Sequence, residues 1–176
     1  MQNPWLVRLL VLLSTGGFSV AQPVVLRAQQ IEESPVEKHL ADAKFAPIPN
    51  APDCFLAVIE HGQPDKEASV MLMKASAGCA VPWHWHISNE QIMMLRGTAR
   101  AQVRGDKDVV LQSGDYFLVP PHHVMRFACA TSCTLFVYTG GPFEIHYVDE
   151  NGKEISPEEA RPKSRSGNHG GPTPQP

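Results

Sequence analysis

Residues 78–97 read GCAVPWHWHISNEQIMMLRG, and the fold turns on how this stretch is read. In a strand alternate residues share a face, so His84 and His86 point one way and Trp83 and Trp85 the other. Ser88-Asn89 is a turn signal. Glu90 follows it and can return its carboxylate towards the two imidazoles. Two neutral imidazoles and a carboxylate on one face suit a divalent metal ion with open positions for water or substrate. A single buried histidine is more often a hydrogen-bonded core residue. Three ionisable side chains on one inward face differ, because burying them without a metal is costly.

The short period continues on both sides of this stretch. Apolar or alternating runs occupy 54–60, 69–75, 81–87, 91–96, 99–104, 108–112, 116–119, 125–129, 134–139 and 143–148. Breakers such as Gly97, Gly105-Asp106, Ser113-Gly114 and Pro120-Pro121 separate them. Short strands at such regular spacing predict an all-β sandwich or barrel. Within it, if Lys74 faces solvent, Met71 and Met73 face the interior, and Met94 shares the phase of Glu90. With Met125 they would make a methionine-rich interior, either a flexible apolar lining or part of a copper site.

Upstream, Ser34-Pro35-Val36-Glu37 has the N-cap, first-turn proline and third-position acid of a helix start, predicting a short helix to about Lys44. The proline-rich segment 46–52 reads as a loop. Residues 1–21 read as a signal peptide: Arg8 precedes the apolar run Leu9–Leu13, and Ser19-Val20-Ala21 offers a small-residue cleavage site. The apolar run is too short to span a bilayer, so no permanent membrane anchor is expected. The expected organisation is therefore a leader at 1–21, an N-terminal arm with a short helix at 22–53, a β-barrel at 54–148, and an extension at 149–176. That extension should be mobile from about 161, where Arg, Lys, Ser, Gly and Pro replace any apolar pattern.

The spacing of Gly78, His84, His86, Glu90 and Gly97 resembles the first motif of the cupin superfamily, Gly-x5-His-x-His-x3–4-Glu-x6-Gly. Residues 114–120 resemble the start of its second motif, Gly-x5-Pro-x-Gly-x2-His. The resemblance spans about residues 54–148 and implies a single small jelly-roll barrel with a metal site inside it. It implies His84, His86 and Glu90 as ligands of one divalent transition metal: iron, manganese or zinc. The second motif departs from the family at two positions, with His122 in place of the usual glycine and Met125 in place of the last histidine. Three occupants of the fourth position follow. Met125 could ligate through its thioether, which favours copper. His123 could substitute, or water could complete a site with two histidines and one carboxylate, as in non-haem iron enzymes.

The chain of 176 residues carries net charge −3 and 19% charged residues, which excludes the basic stripe of a nucleic-acid binder. Export would place Cys54, Cys79, Cys129 and Cys133 where disulfides form. Cys129 and Cys133 flank Ala-Thr-Ser between two strand-like runs, so a bond across that hairpin is expected, leaving Cys54 with Cys79. Trp83 and Trp85 on the outer face need cover, from the N-terminal arm or from a second copy in a homodimer.

Two functional readings follow: an exported metal-dependent enzyme oxidising or cleaving a small organic molecule with oxygen, or a metal-loaded ligand-binding or sensing module without turnover. His61, His146 and Tyr147 are acid–base candidates if folding brings them to the barrel mouth. A sugar isomerase or epimerase would gain support if the series Arg96, Arg100, Arg104 faced the interior.

Overall fold

Wherever apolar alternation is bounded by turn residues, the chain forms a strand. The computed structural model describes residues 34–160. The expected leader at 1–21, residues 22–33 of the expected arm and the tail from 161 lie outside the described residues. The strands are β1 (Ala46–Pro47), β2 (Phe55–Gly62), β3 (Ser69–Ala75), β4 (Ala80–Trp85), β5 (Glu90–Arg96) and β6 (Ala99–Val103). They continue with β7 (Val109–Leu111), β8 (Tyr116–Val119), β9 (Met125–Cys129), β10 (Cys133–Thr139), β11 (His146–Val148) and β12 (Glu154–Ile155). A single-turn helix, α1 (Pro157–Ala160), ends the described chain.

Hydrogen bonding divides the strands into two six-stranded sheets, ordered β1-β2-β3-β10-β5-β8 and β12-β11-β4-β9-β6-β7. Every pairing is antiparallel. From β3 to β6 successive strands alternate between the sheets, as in a jelly roll. The ladders do not close into one ring among the described residues, so the barrel is a two-sheet sandwich.

The core lies between the sheets because period-two alternation sends one apolar set inward from each. Met71, Met73 and Ala75 of β3, Leu135 and Val137 of β10, and Phe127 and Cys129 of β9 are all buried, while Lys74 is exposed. The rings of Phe55 and Phe127 meet 6.2 Å apart, joining β2 of one sheet to β9 of the other. Each fully buried large apolar side chain contributes about 1.5–3 kcal/mol.

The helix expected from Ser34 does not form. One 3-10 turn at Leu40–Asp42 is all the helix between 34 and 44. Val36 is 72% and Leu40 57% exposed, so the segment buries no apolar face. A helix of this length is marginal without one. Lys38 instead ties the arm to the sheet, donating from Nζ to the carbonyl oxygens of Ile59 and Glu60. Beyond it, β1 adds to the edge of β2, where Pro47 is tolerated as an edge-strand residue. At the other end Ser156 and Glu159 form a reciprocal capping box that starts α1 on Pro157.

The cysteines pair as expected, Cys54 with Cys79 and Cys129 with Cys133, at Cα separations of 5.8 and 5.9 Å. Both lie in the range that a disulfide spans. Thiol titration of the denatured, non-reduced protein is therefore expected to find no free thiol; four would contradict both bonds.

Candidate metal centre

His84 sits near the end of β4 and His86 just beyond it, and both side chains are buried on the inward face. Their rings are 5.0 Å apart, edge to face. The Ser88-Asn89 turn carries the chain to the opposite sheet, where Glu90 is the first residue of β5. The site therefore bridges the two sheets. Ligand atoms of His84, His86 and Glu90 all lie within 4.8 Å of one another.

Each histidine is oriented by a backbone carbonyl. His84 Nδ1 lies 2.7 Å from the Pro82 oxygen, and His86 Nδ1 lies 2.5 Å from the Glu144 oxygen. A carbonyl only accepts, so Nδ1 carries the proton and Nε2 holds the free lone pair. That is the second contact through which metal-binding histidines are commonly fixed. His86 Nε2 and Glu90 Oε2 are buried with no protein hydrogen-bond partner and face one another at 3.7 Å. Orphaned buried acceptors of this kind are rare in a folded core. A divalent cation between them would satisfy both, so the residues present fit a metal ion.

The electrostatics agree. Burial pushes the His84 imidazole down to about 3, with His86 adding to the shift and the hydrogen bond to Pro82 opposing it. His84 is thus neutral near pH 7 and offers its lone pair. Burial pushes the Glu90 carboxyl up, against an opposing effect of His86. Without a cation the site disfavours the carboxylate it would use as a ligand.

The cavity at this cluster measures about 40 Å³ and is otherwise apolar, with Phe55, Ile92, Phe127 and Leu135 among its walls. All four methionines expected inside are buried. Met73 and Met125 line this cavity, whereas Met71 and Met94 lie in the surrounding core. Met125 is fully buried and pairs with His84 across the β4–β9 ladder. His123 does not join the cluster: it is exposed, with Nδ1 3.0 Å from the Pro121 oxygen. The reason is its neighbour. His122 adopts a left-handed backbone with φ of 61°, which breaks strand alternation before β9 begins at Met125. The position where the cupin pattern has glycine thus keeps a glycine-like conformation here, held by a histidine. At the other motif glycine tested by close approach, Gly97, a Cβ would lie 2.2 Å from the Ser132 oxygen.

Replacing Met125 with His brings a borderline nitrogen donor into the same cavity. Affinity for zinc, manganese or iron(II) is expected to rise, and any preference for copper(I) to fall. Metal-free stability should drop by roughly 1–3 kcal/mol as the imidazole enters an apolar wall. Melting curves with and without each metal check both. Unchanged affinities would place Met125 in the core alone.

Of the acid–base candidates, none offers a free catalytic group beside the cluster. Tyr147 packs 6.1 Å from the His84 ring, but its hydroxyl donates to the Asn50 oxygen. His146 lies on the outer face, with Nδ1 2.9 Å from Glu154 and Nε2 3.3 Å from Glu144. His61 is exposed on β2. Arg96 and Arg100 are exposed and Arg104 half-buried, so the arginine series lies outside the core.

The outer indoles find cover within the chain. Trp85 stacks on His146 at 4.0 Å and packs near His122, while the Arg104 and Arg126 guanidinium groups lie 4.9 and 4.7 Å from the centre of the Trp83 ring. The cover expected from the N-terminal arm or a second copy is here supplied in part by side chains of the sheet and its loops.

Sequence reasoning missed the loop that completes the site. Residues 140–144 dock on the turn before Glu90: the Gly140 N–H donates to Asn89 Oδ1 at 3.1 Å, and a Cβ at Gly140 would meet that atom at 2.1 Å. The same loop places the Phe143 ring 4.8 Å from His86 and aims the Glu144 carbonyl at it. The Gly140-Gly141 pair was the available signal, but it reads equally as an ordinary breaker between strands.

Residues 71–139 match the family described as Cupin domain. Among solved structures, the acetylacetone dioxygenase from Acinetobacter johnsonii is similar with TM-score 0.54 and 17% identity, over 76% of this chain and 91% of that one. An RmlC-like cupin from Shewanella frigidimarina gives TM-score 0.53 and 20% identity, over 63% and 94%. The DMSP lyase DddQ from Ruegeria pomeroyi gives 0.51 and 20%, over 64% of each chain. Identities this low carry the fold and nothing of the activity. Comparison with curated proteins finds no match. With the profile match, the two-sheet fold and the motif geometry together, residues 71–139 are those of a cupin domain.

Proposed function

We propose that this protein is an exported, metal-dependent cupin enzyme that oxidises or cleaves a small organic molecule with dioxygen. One observation carries the reading: His84, His86 and Glu90 converge at an apolar cavity, with His86 Nε2 and Glu90 Oε2 lacking any protein partner. Two histidines and one carboxylate with open positions are the donor set of non-haem iron oxygenases. Iron, manganese or zinc suits these donors, and copper would be favoured if Met125 contributes its sulfur. When bound, the metal supplies Lewis acidity and a template for the reactants. The Pro82 and Glu144 carbonyls fix the His84 and His86 rings that would hold it, and the apolar walls exclude bulk water. The similar fold of a dioxygenase shows that this architecture can host such chemistry, which is support by analogy. Export is supported by the leader-like first 21 residues and by two cysteine pairs suited to an oxidising compartment.

A second reading, a non-catalytic metal-dependent ligand binder, is favoured by the absence of a free acid–base group beside the cluster among the described residues. The test is oxygen uptake and product formation over phenols, diketones and thiols, with each metal loaded in turn. Turnover with any of them is the expected result. Ligand binding with no turnover across the panel would favour the binding module.

A further inference from the structure

Two cavities lie side by side and share a wall. The inner one, which holds His84, His86 and Glu90, is about 40 Å³, room for about three water molecules at most. That is far below the ~300–1,000 Å³ of pockets that bury organic ligands. The outer one measures about 390 Å³, within that range. Ile48 and Phe143 line both cavities. An organic ligand that reaches the cluster must therefore keep its body in the outer pocket and pass one end between these two side chains.

The walls of the outer pocket describe what it takes. Pro47, Ala57, Val58, Ile59, Pro64 and Met71 supply apolar surface. Its charged members, Lys44 and Asp65, are exposed and opposite in sign. Ile59 has the phase of the core residue Phe55 and pairs with buried Met71, yet it is 49% exposed. An inward-facing isoleucine left half open marks an apolar recess that the described chain does not fill. A charged ligand buried here would meet only Lys44 and Asp65, which are solvent-exposed and opposite in sign, so burying its charge is costly.

We propose that this outer pocket binds the organic ligand of the metal site. The ligand class is a small uncharged molecule with an apolar body and one oxygen-bearing end directed past Ile48 and Phe143. The proposal rests on reading His84, His86 and Glu90 as a metal centre.

The test uses the full chain loaded with zinc or with manganese, titrated with para-fluoroacetophenone and followed by fluorine NMR. Saturable binding is expected with zinc, and strong broadening of the bound signal with manganese, whose unpaired electrons relax nearby nuclei. The anion para-fluorobenzoate, the same ring with a charge, should bind at least about ten-fold more weakly. Ile59→Asp places a carboxylate in the recess at a half-open position and should weaken ketone binding at least about ten-fold, with metal content unchanged. Equal or tighter benzoate binding, an unaltered affinity in Ile59→Asp, or no ketone binding by the metal-loaded protein would overturn the proposal. Failure to take up metal at all, with ketone binding still sensitive to Ile59→Asp, would sink the metal reading and keep the pocket as an apolar ligand site.

Discussion

Replacing His84 and His86 together with Ala is expected to abolish stoichiometric metal binding and to leave a folded β protein. The two imidazoles supply two of the three converging donors, and both are held by carbonyls that fix their free nitrogens towards the cluster. Loss of an outer partner alone typically lowers metal affinity 10–100-fold, and loss of both ligands should exceed that range. The core does not depend on them. Phe55, Met71, Phe127, Leu135 and Val137 pack between the sheets without the histidines, and the cysteine pair Cys54–Cys79 staples the chain nearby. This differs from a zinc finger, whose binding free energy is its folding free energy. Elemental analysis of the purified variant, with circular dichroism, reads both halves of the expectation. Full metal occupancy in the double variant would remove the basis of the site.

Glu90→Gln should move metal-free stability and metal affinity in opposite directions. In the metal-free protein Glu90 is 6% exposed with Oε2 unpartnered, so the ionised carboxylate is held at a cost. Glutamine keeps the shape, removes the charge, and can donate to His86 Nε2 across the gap of 3.7 Å. Relief of one buried unsatisfied group contributes roughly 1–3 kcal/mol, so the metal-free variant should melt above the wild type at pH 7. The pH dependence has a definite sign. Burial raises the Glu90 carboxyl above its ordinary 4.5 in the folded state. The wild-type penalty is therefore full above that raised value and disappears as the pH falls below 4.5. The advantage of glutamine should vanish over the same window. With metal the order reverses, because the variant has lost its only anionic donor and with it the stabilisation that a ligand of the folded state provides. Melting curves that keep the same order with and without metal would contradict a ligand role for Glu90.

Much of this architecture was legible in local sequence. The runs at 69–75, 116–119 and 125–129 became β3, β8 and β9 with the same bounds, because alternation and flanking breakers are encoded within a few residues. The shared face of His84 and His86 follows from the same period of two, and the return of Glu90 from the turn at Ser88-Asn89. The cysteine pairing was readable at 129 and 133 because the partners lie four apart, and the other pair then followed by elimination.

Local sequence misled where burial decides. Ser34 to Glu37 has good start signals for a helix, but a start signal cannot supply an apolar face to pack, and the arm paired as a short edge strand instead. His123 had the right phase on paper, and the left-handed His122 removed it from the strand. The Ser156–Glu159 capping box lies in a segment without an apolar pattern, where a start signal alone does not predict a helix.

By itself, then, the sequence determined the strands, their inward faces and the three converging donors, all of which are relations between residues no more than a few positions apart. Tertiary structure alone decided which carbonyl holds His86, which ring covers it, and that Ile48 and Phe143 line both the small cavity at the histidine–glutamate cluster and a larger apolar pocket. Those relations join residue 86 to residues 143 and 144, and residue 48 to both cavities. They exist only once two sheets have closed on each other, because packing between distant segments is set by the volumes and registers of everything between them rather than by any local pattern.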